Sequence, residues 1–378
     1  MDRAELCKRV RRLVVKVGSG VLSRGTLSLQ GEAIRVLAKQ IASVMAQGVE
    51  TLLVSSGAVM AGMEKLERQE RPRSIPLKQA AAAIGQSALM SLYEEAFTPY
   101  GIKVAQVLIT QEDVRDRVRY LNARNTLFTL LSLGVLPIVN ENDTVAVEEI
   151  KFGDNDILSA LVASLVDADL LVMLTDQEGL YTADPRTDPD ARLIPVISSP
   201  FPPDAFWAGP TRTAVGLGGM ASKVEAARLA TASRIPTAVA NGLTVDILPR
   251  LFAGEPLGTL FLPRAAKMGS RKRWLAFATR PQGGVRVDGG AKRALIHQGR
   301  SLLPSGVQGT VKRFQVGDVV SILGMEGEEF ARGLVNYSAE EVERIKGRRS
   351  TEIEGVLGYK HSDEVIHRDN LVILEGQK

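Results

Sequence analysis

Histidine, cysteine and long apolar runs are all scarce in this chain of 378 residues. The single cysteine, Cys7, cannot form an intrachain disulfide and fits a reducing compartment. The three histidines, His297, His361 and His367, all lie in the last third. The first 266 residues therefore supply no imidazole for a Ser-His-Asp triad or a His-ligated zinc site and, Cys7 aside, no thiol. The longest stretch without Lys, Arg, Asp or Glu has 16 residues, Asn125 to Asn140, and it contains Gly134 and Pro137. A membrane helix needs ~20 apolar residues, so no span and no membrane partner are expected. Lys16 interrupts the apolar run of the basic opening MDRAELCKRVRRLVVKVG before a signal-peptide core can form, and a cytoplasmic location is expected. The P-loop pattern G-x-x-x-x-G-K-[ST] is absent. Lysines, carboxylates, hydroxyls and glycine-rich turns remain, which is the toolkit of phosphoryl transfer.

With 45% hydrophobic and 24% charged residues, the composition is that of a globular protein, long enough for two domains. The formal net charge of +4 is unevenly placed. Residues 1–266 hold 28 Lys and Arg against 29 Asp and Glu, whereas residues 267–378 hold 19 against 14. The basicity belongs to the last third, where an anionic partner such as nucleic acid becomes a candidate.

Up to residue 264, β-branched runs alternate with helical patterns. The runs are Leu13–Val17, Thr51–Val54, Lys103–Ile109, Val135–Val139, Leu170–Leu174, Thr237–Ala240 and Thr259–Leu262. Helices are predicted over 32–46, 77–97, 119–132, 156–166 and 220–233, the first closed by Gly48 at C′. Such alternation predicts an α/β domain with a mainly parallel sheet, whose ligands bind beyond the carboxyl ends of the strands. A basic linker, 265–280, leads into residues 281–378, a small, mostly β domain. There the strand-like pieces are Gly284–Val287, Val319–Leu323 and Ala331–Tyr337, with one clear helix, 339–346.

Five turns could carry chemistry. In KVGSG, Lys16 ends an apolar strand before Gly18 and Gly20; it is either a phosphate-neutralising lysine or one that snorkels from a sheet edge. Ser55, Ser56 and Gly57 follow the second strand, as an anion site or as ordinary helix caps. The segment NENDTVAVEEIKFGDND brackets a short loop with Asn140, Asp143, Asn155 and Asp156, more short carboxylates and amides than turn formation usually requires. Asp143 could pair with a substrate ammonium, and Asp156 could orient Lys16 and a second lysine. Thr175 and Asp176 end the fifth run, with nucleotide contact and turn formation comparably open. In GLGGMASK, Lys223 falls in the first turns of a helix, where a cation opposes the dipole unless an anion sits there. The same glycines match a loose dinucleotide fingerprint, but a poor strand precedes them and no ribose-binding acid follows the next strand.

Taken in order, KVGSG, VSSGAV, NENDTVA, KFGDND, LTDQEGLYTADPR and GLGGMASK resemble the amino-acid kinase family. Within it the resemblance is to the bacterial branch that phosphorylates the γ-carboxylate of L-glutamate, the first step of proline biosynthesis, and carries a C-terminal PUA domain. The resemblance implies a three-layer α/β/α sandwich with a mainly parallel sheet over 1–264 and a PUA domain with a tail over 281–378. It implies ATP and Mg²⁺ as cofactors, the metal arriving with ATP and no protein ligand assigned. Lys16 and Lys223 would neutralise the transferred phosphoryl group, with Asp156 holding both ammonium groups. Ser56, Asp143 and Asn155 would bind glutamate, while Lys16, Thr175, Asp176 and the run Leu217, Gly218, Gly219, Met220, Ala221, Ser222 and Lys223 would bind the nucleotide. Leu217 departs from the family, which usually has a small hydroxyl residue there. Proline feedback at the 143–155 loop is also implied, as is a homo-oligomer, dimer or tetramer. Glutamyl-phosphate reductase and, through the PUA domain, RNA are further candidate partners.

Chemistry agrees with that assignment. A γ-carboxylate is already an anion at pH 7 and needs no base, so a histidine-free catalytic domain suffices. Losing Lys16 or Lys223 is expected to cost ~10²–10³ or more in turnover, with Lys16→Ala and Asp156→Ala proteins folding normally and nearly inactive. The rivals are a kinase of the same fold with another acceptor, an RNA-binding protein acting through its C-terminal part, and a nucleotide-dependent dehydrogenase.

Overall fold

The apolar runs of the first 264 residues become strands of one eight-stranded sheet. These are β1 (Arg12–Val17), β2 (Glu50–Ser55), β3 (Val104–Ile109), β4 (Leu136–Glu141), β5 (Leu170–Thr175), β6 (Val196–Ser198), β7 (Thr237–Asn241) and β8 (Thr259–Leu262). The computed structural model describes residues 3–26, 28–68, 70, 72, 74–145, 155–198, 219–263 and 281–374. It divides into two units, Met1–Ala266 and Lys267–Lys378. The basic linker expected at 265–280 lies outside the described residues.

In the first unit the strand order is β3-β4-β2-β1-β5-β7-β8-β6. Every neighbouring pair from β3 to β7 is parallel, while β8 runs antiparallel to β7 and parallel to β6. The sheet is thus mixed but mainly parallel. Central strands are buried on both faces, which explains their near-continuous Val and Leu content. Along β1 the pleat sends Leu13, Val15 and Val17 into a core with Ile34, Leu37 and Ile41 of helix Gly31–Met45 and Leu89, Tyr93 and Phe97 of helix Ile75–Phe97. Lys16 faces the other way, toward helices Asn155–Leu165 and Met220–Ala232. Helices on both faces make three layers.

Helices Ala58–Lys65 and Ile75–Phe97 meet backbone to backbone. A Cβ on Gly62 would lie 1.8 Å from the Ala81 carbonyl oxygen, and one on Gly85 would lie 1.9 Å from that of Ala58. Only glycine fits at this crossing. Gly48 does take a left-handed φ of 83°, but its helix ends at Met45 with Ala46 as C-cap, so Gly48 lies one position beyond the expected C′. Strand β6 was not anticipated: it has three residues, only Ile197 of them buried, too short for a periodic signal.

In the second unit β9 (Gly283–Val287), β10 (Val307–Val311), β11 (Val319–Leu323), β12 (Glu329–Leu334) and β13 (Leu371–Ile373) form a sheet in the order β10-β9-β11-β12-β13. Its core includes Val285, Ile322, Phe330, Tyr337, Val342 and Ile345. The expected helix is present as Ala339–Ile345, started by a reciprocal Ser338 and Glu341 capping box. A short helix, Ile353–Leu357, and a longer one, Gly289–Gln298, correct the expectation of one. The opening Gly-Gly pair of the longer helix masks it in sequence, but the Asp288 carboxylate accepts the Ala291 N–H at 2.7 Å and supplies the start. Among the described residues no helix is long and apolar enough to cross a membrane.

Candidate active site

Strand β1 is central, and its penultimate residue, Lys16, is only 2% exposed. A snorkelling edge lysine is therefore excluded. The Lys16 ammonium lies 2.5 Å from Oδ1 of Asp156, the second residue of helix Asn155–Leu165, whose carboxylate is fully buried. From the first turn of helix Met220–Ala232, Lys223 Nζ approaches Oδ2 of the same carboxylate at 3.0 Å. Ser222 Oγ donates to that oxygen at 2.8 Å. Burial by itself would raise the Asp156 carboxyl pKa, but the charge of Lys16, then that of Lys223, and hydrogen bonds from Lys16 and Ser222 outweigh it and hold the group well below the usual carboxylate range. The carboxylate is thus an anion at any physiological pH. The cation that opposes the helix dipole at Lys223 is met by Asp156. Two buried ammonium groups thus converge on one carboxylate near the carboxyl end of a central parallel strand, where ligands of such sheets bind.

A second polar cluster adjoins it through Asn155. The two donors of Asn155 Nδ2 are shared among three acceptors, Ser56 Oγ at 2.9 Å, the Ser55 carbonyl at 3.0 Å and Asn140 Oδ1 at 3.0 Å. Asn140 in turn donates to Gln86 Oε1 at 2.9 Å, and Ser55 Oγ shares a 2.7 Å hydrogen bond with Tyr93 OH. Ser55 and Ser56 do not cap the helix after them; Gly57, at φ 111°, does so without a side-chain bond. The capping alternative for the serines is therefore set aside. Gln86 Nε2 and Asn155 Oδ1 are buried with no hydrogen-bond partner among the described residues, leaving one donor and one acceptor for a polar ligand. Asp143 lies apart from Asn155 in partnership: its Oδ1 is 3.6 Å from Lys78 Nζ, in the first turns of helix Ile75–Phe97. Burial raises the Asp143 carboxyl pKa, with the Lys78 charge opposing the rise.

Thr175 ends β5 next to β1, and its hydroxyl donates to Asp176 Oδ1 at 3.2 Å. Asp176 covers the first glycine turn: a Cβ on Gly20 would lie 3.4 Å from its Oδ2. Gly219 is the N-cap of helix Met220–Ala232, with Met220 buried and Ala221 exposed. Leu217 and Gly218 lie outside the described residues, as do Gly153 and Asp154 and the 146–154 part of the loop tied to feedback. Among the described residues no group of three or more His, Cys, Asp or Glu side chains is placed to hold a metal ion.

Sequence reasoning singled out Lys16, Asp156, Lys223, Ser56 and Asn155, which the fold brings into two adjoining clusters. It missed Lys78, Gln86 and Tyr93, all on the helix predicted over 77–97. The available signal was spacing: Gln86 and Tyr93 are seven residues apart and share a face among Ala82 and Leu89.

Residues 11–241 match the model of the amino acid kinase family, and residues 283–357 match the PUA domain. A relative named glutamate 5-kinase from Geobacter sulfurreducens is 53% identical over 98% of this chain and 100% of its own length. Others of the same name from Caldanaerobacter subterraneus and Moorella thermoacetica are 52% and 51% identical, each over 97% of this chain and over 99% and 97% of their own lengths. The buried lysines, one near the end of β1 and one in the first turn of helix Met220–Ala232, thus sit in a known framework: the chain belongs to the amino acid kinase family, with a PUA domain following its kinase domain.

Proposed function

We propose that this chain transfers the γ-phosphoryl group of ATP to the γ-carboxylate of L-glutamate, yielding L-glutamyl 5-phosphate, the first step of proline biosynthesis. The carrying observation is the buried Lys16, Asp156 and Lys223 trio, with Lys16 near the carboxyl end of central strand β1. Full-length relatives at about half identity bear the name of that activity.

Transfer between two anions needs close in-line approach and charge neutralisation more than proton transfer. In this reading Lys16 and Lys223 face the phosphoryl oxygens, and Asp156 fixes both ammonium groups. Ser56, Asn155 and Asp143 hold glutamate, the last through its α-ammonium. Thr175, Asp176 and the 217–223 run hold the nucleotide. Asp156 is committed to two ammonium groups and a hydroxyl, which leaves it a poor metal ligand. Mg²⁺ would be held by the phosphate oxygens of ATP and by water, where it supplies charge neutralisation. The reading also carries a cytoplasmic homo-oligomer of two or four chains, with a catalytic domain at 1–264 and the PUA domain and tail at 281–378.

The test is an assay with ATP, Mg²⁺ and hydroxylamine, which traps an acyl phosphate as its hydroxamate. Glutamate is expected to give hydroxamate, and aspartate and N-acetylglutamate far less. Turnover confined to either of the latter would overturn the choice of acceptor.

A further inference from the structure

Lys78 is ion-paired with Asp143 but has no role in any step above. Asp143 follows the end of β4 and Lys78 lies near the start of helix Ile75–Phe97. Their charged atoms are 3.6 Å apart, longer than a hydrogen-bonded ammonium-carboxylate contact of about 2.7–2.9 Å. The pair is half-buried, with side chains 30% and 16% exposed, and Asp143 is the one partner recorded for Lys78 among the described residues. An ammonium carries three donors, so Lys78 retains capacity for another acceptor.

The pair lies alongside the polar cluster. Asn140 and Asp143 belong to one segment, and the same helix meets it twice, through Gln86 on Asn140 and Lys78 on Asp143. A loosely closed pair of opposite charges at such a place matches an α-amino acid head group in sign. The substrate ammonium meets Asp143 and the substrate α-carboxylate meets Lys78. Inserting a zwitterion leaves the local charge unchanged and exchanges one long contact for two short charge-assisted ones. A ligand with only one of the two charges leaves a half-buried protein charge without a partner, which is how a polar site rejects an analogue.

We infer that Lys78 is a specificity-determining residue that binds the α-carboxylate of the acceptor and, with Asp143, reads the acceptor as an α-amino acid. The inference rests on the proposed glutamate-phosphorylating reading and deepens it.

The experiment compares L-glutamate, 4-aminobutyrate and glutarate in the hydroxamate assay. The first analogue lacks the α-carboxylate and the second lacks the ammonium, while both keep an acceptor carboxylate. The wild-type chain is run first, then Lys78→Ala, Lys78→Gln and Lys78→Arg. In Lys78→Ala the preference for glutamate over 4-aminobutyrate, as a ratio of kcat/KM, is expected to fall about 10- to 100-fold through a raised KM for glutamate. The preference over glutarate, set by Asp143, changes much less, and Lys78→Arg restores most of the lost discrimination. Should Lys78→Ala fail to fold, Lys78→Gln, which keeps most of the side-chain length and a polar end without the charge, gives the same readout. A ratio within about twofold of wild type in a folded neutral variant overturns the inference. So does a fall in kcat with KM unchanged, which would put Lys78 on the phosphoryl group. Wild-type protein inactive on glutamate would overturn the kinase reading itself, a result distinct from active wild type with unaltered discrimination.

Discussion

Lys16 and Lys223, 207 positions apart in sequence, end on the two oxygens of one carboxylate, Asp156, at 2.5 Å and 3.0 Å. A single buried anion thereby fixes the spacing of two cations. Arginine forks could not be substituted simply, because two point charges converging on separate oxygens leave each ammonium with donors directed elsewhere.

Removing either lysine keeps Asp156 paired with the other, so folding should survive while phosphoryl stabilisation does not. Lys16→Ala and Lys223→Ala are expected to lower kcat by ~10²–10³. Hydroxamate formation at saturating glutamate measures this, and near-native turnover in either variant would remove that lysine from the reaction.

Asp156 itself is different. Its loss leaves two buried ammonium groups without their counter-ion, and breaking a buried pair costs about 3–5 kcal/mol. Burial thus replaces the expectation that Asp156→Ala folds normally with one of a lowered Tm as well as lost turnover. The sign with pH follows from the lowered carboxyl pKa: the stabilisation is complete above the unfolded value of about 3.9 and fades as pH falls through the lower folded value. Melting curves of Asp156→Asn against wild type should converge in strong acid; a constant gap down to the lowest pH would contradict the ion-pair account.

Asp143 has the opposite balance. Its carboxyl pKa is raised, so ionising it costs the folded state something that is absent below about pH 3.9 and develops as pH rises through the folded value. Asp143→Asn should therefore melt no lower than wild type at neutral pH, yet show a large rise in KM for glutamate. Calorimetry paired with the kinetic assay checks both halves. A destabilised variant with unchanged KM would mark Asp143 as structural.

At the helix crossing, Gly62→Ala places a methyl group 1.8 Å from the Ala81 carbonyl oxygen, where backbone must move. The expected loss is at least ~1–3 kcal/mol of stability, read as a fall in Tm. An unchanged Tm would mean that the two helices separate at little cost.

Much of this was legible in sequence because apolar runs and glycine turns report local geometry. Lys16 at the end of a Val-rich run left a phosphate-facing lysine and a snorkelling edge lysine both open, and the choice followed once β2 and β5 flanked that strand. Asp156 was legible through its company, since an acid opening a helix is ordinary capping, whereas Asn140, Asp143 and Asn155 crowd the same short loop. Lys78, Gln86 and Tyr93 were not, since periodicity tells which face of a helix is buried and not which side chain waits opposite. A glutamine among alanines makes sense only when Asn140 is seen across from it. The helix at Gly289–Gln298 was hidden for a different reason, a Gly-Gly start whose low propensity is overridden by the Asp288 cap.

The glycine contact between helices Ala58–Lys65 and Ile75–Phe97 has a mechanical consequence. Interlocked side chains can slip by changing rotamer, but two main chains in contact have no such compliant layer between them. Ser56, just ahead of one helix, and Lys78, Gln86 and Tyr93 on the other therefore ride on a single stiff part.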